Sequence, residues 1–148
     1  MSDPRLYPDR PFLAVSAAVV RADRLLIVRR ARRPAHGVYT FPGGVVEAGE
    51  TLAEAVAREI REETSLVIAP QELAGHREWI ARDAGGRVER HFVILSFAAR
   101  WVSGEFTPNE ELDDGRWVRL PELASFTTTE GLAEIAAAAL ALIGGEPP

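Results

Sequence analysis

Apolar positions along the chain change period several times, and each change marks an element. Residues 12–20, FLAVSAAVV, are apolar on both alternating faces, as in a strand buried on both sides. A polar turn, Arg21 to Arg24, follows. Leu25 to Arg29 repeats the strand pattern, so 12–29 reads as a hairpin. From Leu52 the period lengthens: Leu52, Val56 and Ile60 recur at helical spacing. Thr51 and Glu54 form a capping box, which starts this helix near Leu52, and it runs to about Thr64. Leu66 to Ile68 is a short apolar run that Pro70 and Gln71 break. Residues 73–82 and 88–101 read as two strands joined by the turn Asp83-Ala84-Gly85-Gly86-Arg87.

Ser103 to Gly115 is a polar, acidic stretch and reads as a solvated loop. Arg116-Trp117-Val118 is a short strand, and Pro121 to Leu123 begins a helical turn. Thr127 and Glu130 form a second capping box ahead of GLAEIAAAALALI. That last helix is expected to pack Leu132, Ile135, Leu140 and Ile143 onto the sheet. Before residue 12, Pro4, Pro8 and Pro11 prevent regular structure and leave a loose arm. The expected organisation is an arm over 1–11, one domain over 12–143, and a frayed tail over 144–148.

The helix from Leu52 carries its acids in an unusual place. On a wheel turning about 100° per residue, Leu52, Val56 and Ile60 make the apolar stripe. Glu63 and Glu59 fall on that stripe and Glu62 at its edge, while Glu54, Ala57, Arg58 and Arg61 lie opposite. Like charges at this spacing repel, and more strongly once desolvated. Arg58 can reach one acid but cannot neutralise three. A bound divalent cation can. Glutamate oxygens without Cys or His select a hard cation, Mg²⁺ or Mn²⁺. The plainer reading is a solvated acidic face with ordinary salt bridges; the position on the stripe and the Gly43-Gly44 turn ahead of the helix weigh against it.

Composition then removes several alternatives. The chain has 148 residues, enough for one domain with a real core. It has no cysteine, so neither disulfides nor thiolate chemistry is available. All 17 basic residues are arginine, which excludes a Schiff-base lysine and a Gly-Lys-Ser/Thr phosphate loop. A net charge of −5 argues against a general nucleic-acid binder. No apolar run is long enough to span a membrane, and the polar, proline-rich start is unlike a signal peptide. The expected location is cytoplasmic.

Positive charge is instead local. Arg29, Arg30, Arg32 and Arg33 lead directly into Tyr39-Thr40-Phe41-Pro42-Gly43-Gly44. Two of the four read as solvated loop residues. The others suit phosphate, which a guanidinium fork binds in two-point fashion. Arginines beside clustered carboxylates match a metal–phosphate substrate. His76 and His91 read as strand-surface residues rather than ligands.

The spacing from Gly44 to Leu66 resembles a known signature. Gly44, Glu50, Arg58-Glu59-Ile60, Glu62-Glu63 and Leu66 match the Nudix box, G-x5-E-x7-R-E-U-x-E-E-x-G-U, with U a bulky aliphatic residue. The one departure is Ser65, where the box has glycine for the turn leaving the helix. The resemblance covers about residues 12–143. It implies an α/β fold, an α/β/α sandwich around a mixed β-sheet. It also implies Mg²⁺-dependent cleavage, with Mn²⁺ as a substitute, of the pyrophosphate in a small nucleoside diphosphate linked to a group X. X would be of the nucleotide-sugar, ADP-ribose or (d)NTP type. Position by position, Glu59, Glu62 and Glu63 correspond to metal ligands, with the Gly44 carbonyl as a further contact. Glu50 and Arg58 correspond to supporting residues, and Arg30 to a phosphate contact. The general base varies in the family: Glu59 is one candidate, and Glu111, upstream of Trp117, is another, with Glu110 beside it. Trp79, Phe92 and Trp101 each offer a ring to stack a base or to fill the core.

The implied partner is a small nucleotide, with no bulk nucleic acid and no membrane; homodimers are common in the family. Where ADP-ribose hydrolases carry a proline and dinucleoside-polyphosphate hydrolases a tyrosine, this chain reads Ile80-Ala81-Arg82-Asp83-Ala84. The alternative is a non-catalytic Nudix-fold domain that binds and senses a nucleotide. Loss of box acids would favour it, and none is lost.

Overall fold

The computed structural model describes residues 3–32 and 37–144. Arg33 and the tail beyond Gly144 lie outside the described residues. Strand β1 (Phe12–Arg21) and strand β2 (Arg24–Arg30) form the expected hairpin. They pair only at its closed end, Val20 with Leu25 and Arg21 with Arg24. Past that point they splay apart, and the next segment fills the gap. Strand β3 (Tyr39–Thr40) adds to β2, and strand β4 (Gly43–Val45) adds to β1. Gly43-Gly44 is therefore a short strand rather than the turn the sequence suggested. Glycine is needed there because a Cβ on Gly43 would lie 2.0 Å from the Val15 carbonyl oxygen.

The other edge of β1 runs parallel to strand β6 (Val88–Ser103), from Phe12 opposite Phe92 to Val20 opposite Arg100. Strand β5 (Val67–Arg82) lies antiparallel on β6, and strand β7 (Leu112–Arg119) antiparallel on β2. The result is a mixed seven-stranded sheet. Sheets buried on both faces read as continuous apolar runs, and β1 shows why. Ala17 and Val19 pack with Val56, Ile60 and Leu66 beneath helix α1 (Leu52–Thr64). Ala18 and Val20 pack with Ile135, Ala136, Ala139 and Ile143 of helix α2 (Leu132–Gly144). The α/β/α sandwich follows from this division.

Several expected boundaries move. Pro70 and Gln71 do not end a strand: β5 continues from Val67 to Arg82, and the irregularity is absorbed as a register shift between Pro70 and Leu73. An edge strand tolerates proline because its outward N–H group has no ladder partner to lose. The acidic loop ends earlier than Gly115, since β7 already begins at Leu112. The Thr127–Glu130 pair does not frame α2, which starts only at Leu132. The Thr127 carbonyl accepts instead from the Tyr39 N–H at 2.8 Å. The arm over 3–11 has no regular structure but is not loose: the Tyr7 hydroxyl donates to Asp83 at 2.8 Å.

Candidate active site

Helix α1 begins as its capping box predicts. The Thr51 hydroxyl accepts from the Glu54 N–H at 3.1 Å, and the Glu54 carboxylate accepts from the Thr51 N–H at 3.0 Å. It ends at Ser65, whose φ of 69° is left-handed and whose N–H donates to the Arg61 carbonyl. Serine thus adopts the geometry for which glycine is usual, at a cost of about 1 kcal/mol. Thr64 assists: its hydroxyl donates to the Ile60 carbonyl and accepts from the Leu66 N–H.

Arg58 reaches further than the single acid expected of it. Its Nε and Nη2 grip the two Glu50 oxygens at 2.6 and 2.9 Å. Its Nη1 donates to Glu59 at 2.8 Å and to Glu62 at 3.1 Å. Its Nη2 also donates to the Val45 carbonyl at 3.2 Å. One guanidinium therefore joins β4, the loop after it and two helix acids. The Arg58 fork, followed by the Glu47 N–H, holds the Glu50 carboxyl down at about 2.

Glu59 lies flat against Gly44, where a Cβ would come within 2.3 Å of its carboxylate carbon. Its side chain is only 15% exposed, against 61% for Glu62. Glu63 accepts from the Gly43 N–H at 3.1 Å. Burial, and then the neighbouring Glu59 and Glu111 charges, push its carboxyl up to about 7, against the opposing pull of the Gly43 N–H and Arg30. A half-buried acid among acids is the electrostatic setting that a cation relieves.

The loop before β7 is pinned to this helix by a residue the sequence reading passed over. Asn109 donates to the Glu63 carbonyl at 2.8 Å, and its own side-chain oxygen accepts from the Glu111 and Leu112 N–H groups. The signal available was Asn in a polar loop, which commonly bonds the backbone two residues on. Glu111 faces Glu63, while Glu110 is tied to Arg32 at 3.1 Å. The basic run divides in the same way. Arg29 pairs with Asp113 at 2.7 Å and Arg32 with Glu110, whereas Arg30 points to the acids.

These groups line one open cleft of about 1020 Å³: Arg30, Gly44, Glu59, Glu62, Glu63, Glu110 and Glu111. Its floor is the α2 side of the sheet, where Trp79 and Phe92 stack with centroids 5.8 Å apart and planes at 14°. Trp101 is not there; the Arg21 guanidinium covers its ring at 3.7 Å. Glu50 and Arg58 stand behind the cleft rather than in it. His76 and His91 are also outside it. Arg77 and Arg90 do line it and were not singled out from the sequence. Strand alternation carried the signal: Arg77 shares a face with Trp79, and Arg90 with Phe92.

Among the described residues, no three His, Asp or Glu side chains converge tightly enough to hold a metal ion as they stand. Glu59 and Glu62 instead share the Arg58 Nη1 donor. The donor set nevertheless fits a hard divalent cation: its side-chain donors are all oxygens, and Glu63 has no ion pair among the described residues. Acids, arginines and aromatic rings thus share one cleft of an α/β/α sandwich.

Comparison with known proteins gives the family. The NUDIX domain model matches residues 10–139, and the chain belongs to that family. It is 35% identical over 131 residues to the NAD-capped RNA hydrolase NudC of Pseudomonas aeruginosa, covering 88% of this chain and 42% of that protein. It is 33% identical over 123 residues to the ADP-ribose pyrophosphatase of Methanocaldococcus jannaschii, covering 81% and 70%. The chain thus spans less than half the length of the NudC relatives. A solved MutT NUDIX hydrolase from Burkholderia pseudomallei is 28% identical with a TM-score of 0.69, over 91% of this chain and 99% of that one.

Proposed function

We propose that this protein hydrolyses the pyrophosphate linkage of a small nucleoside diphosphate derivative, with Mg²⁺ or Mn²⁺ as the working cation. The observation that carries this reading is one shared cleft. It has the box acids at one end, Arg30 beside them and the Trp79–Phe92 floor at the other. Glu59, Glu62, Glu63 and the Gly44 carbonyl are the groups that would hold the cation, which when bound would offset phosphate charge and lower the pKa of the attacking water.

The protein's own residues divide the remaining work. Arg30 and Arg77 bind phosphate oxygens as charged donors. Trp79 stacks the base, with the buried Phe92 ring supporting it from behind. Glu111 is a candidate to take the proton of the attacking water, because its carboxylate faces Glu63 without an ion pair among the described residues; Glu59 is the other candidate. Glu110 is committed to Arg32. Arg58 and Glu50 keep β4 and α1 in register. The products are a nucleoside monophosphate and phosphorylated X, or pyrophosphate from a triphosphate.

Two relatives guide the choice of X. NAD and ADP-ribose, in their names, share adenosine joined through a pyrophosphate to a second ribose. An ADP-ribose-type substrate is therefore the first to test. The purified protein with Mg²⁺ is given ADP-ribose, NAD, an NAD-capped RNA oligonucleotide, a UDP-sugar and the dNTPs, and products are separated by chromatography. Turnover of one or more is expected. A folded protein that turns over none of them, and instead binds a nucleotide tightly, would replace this reading with the sensing one.

A further inference from the structure

The NUDIX match begins at residue 10, yet the chain before it is built into the cleft. The arm is clasped at two points. At the first, Asp3 pairs with Arg90 at 3.4 Å and accepts the Arg5 N–H at 2.8 Å. At the second, Tyr7 donates its N–H to the Glu89 carbonyl at 2.9 Å and its hydroxyl to Asp83 at 2.8 Å. The Arg87 guanidinium covers the Tyr7 ring at 4.4 Å. Tyr7 holds a φ of 50°, a left-handed backbone that a non-glycine residue adopts only when its surroundings fix it. Asp83 is itself fixed, because it accepts the Gly85 and Arg87 N–H groups of the hairpin turn.

Between the two clasps stands Arg5, an exposed residue that lines the cleft with Trp79, Phe92 and Arg90. Asp3 answers the charge of Arg90. Arg5 has no ion pair among the described residues, so its donors are free at the aromatic end of the cleft. A merely solvated arginine would not need a backbone clasped on both sides of it.

We propose that Arg5 is a substrate-contacting specificity residue, donating hydrogen bonds to the acceptor edge of a nucleobase laid on Trp79. The arm is thus the cleft's distal wall, and Tyr7 is the positioning residue that places it. This rests on the nucleotide reading above, but its test does not require turnover.

Binding of AMP, GMP, UMP and ribose 5-phosphate is followed by intrinsic tryptophan fluorescence in the wild type, Arg5→Ala and Tyr7→Phe. At least one nucleotide is expected to bind the wild type more tightly than ribose 5-phosphate. Arg5→Ala should weaken that nucleotide about tenfold, the loss expected for one charge-assisted hydrogen bond, and leave ribose 5-phosphate unchanged. Tyr7→Phe should shift the same nucleotide in the same direction by a smaller factor. With a turned-over substrate, Arg5→Ala should raise KM and leave kcat within about twofold. A wild type that binds ribose 5-phosphate as well as every nucleotide would overturn the proposal. So would an Arg5→Ala loss equal for all four compounds, which would mark a phosphate contact, or no loss at all. Failure of the hydrolase reading shows separately, as absence of turnover with these binding differences intact.

Discussion

Glu63 is a carboxylate placed where its proton is favoured. With its pKa raised to about 7, it is protonated in the native state at pH values where the unfolded chain has released the proton. Its contribution to stability is therefore full below about pH 4.5, falls as pH rises, and is lost above 7, when the native state must bury the anion. In chelator, the wild type should melt lower at pH 8 than at pH 5, with Glu63 responsible for on the order of 1–2 kcal/mol after allowance for solvent screening. Glu63→Gln should remove that part of the slope and raise stability at pH 8. Thermal melts at the two pH values check this; a wild-type-minus-variant difference that does not depend on pH would sink it. Added Mg²⁺ should oppose the trend. At this scale the box spacing singled out the acids, but the wheel alone could not separate the half-buried Glu63 from the exposed Glu62. That difference comes from β4, whose Gly43 N–H reaches one and not the other.

The two adjacent glycines of β4 do different things. A Cβ at Gly43 would press on the Val15 backbone oxygen, which belongs to the central strand and cannot move alone. A Cβ at Gly44 would press on the Glu59 carboxylate, the far end of a side chain. Gly43→Ala should accordingly cost stability, about 3 kcal/mol or more, as overpacking against rigid structure does. Gly44→Ala should keep most of the melting temperature and lower kcat about 100-fold or more, by turning Glu59 away. Melting curves and steady-state kinetics on both variants separate the effects; parallel losses of stability and activity in both would contradict the assignment. Element by element, what local chemistry dictates was legible: the capping box placed α1 at Leu52–Thr64, where the structure has it. What depends on a neighbour was not. Pro70 reads as a break until β5 is known to be an edge strand, and Thr127–Glu130 reads as a cap until Tyr39 takes the Thr127 carbonyl.

Across the whole molecule, the cleft exists because the β1–β2 hairpin opens. Its floor is the α2 side of the sheet, while the acids ride on α1, on the opposite side. They reach the same space only where β1 and β2 splay and β4 intervenes. Neither apolar cluster includes a box acid, and among the described residues no buried side-chain polar atom lacks a partner. A chelator should therefore abolish turnover and leave near-UV circular dichroism unchanged, with activity restored by Mg²⁺. Loss of the folded signal in chelator would instead make the cation structural.

By itself the sequence determined the elements that rest on short-range chemistry: the capped helix, the buried hairpin strands and the spacing of Gly44, Glu50, Arg58, Glu59, Glu62 and Glu63. Helical and strand periods and side-chain caps act within a few residues, so they can be read in a line. Only the tertiary structure decided that Arg58 binds several acids, that Glu111 and not Glu110 faces Glu63, and that Trp101 is covered while Trp79 is open. It alone brought Arg5, Arg77 and Arg90 to the cleft. These outcomes depend on which strands lie side by side, and that follows from burying two apolar faces at once, a condition on the whole chain.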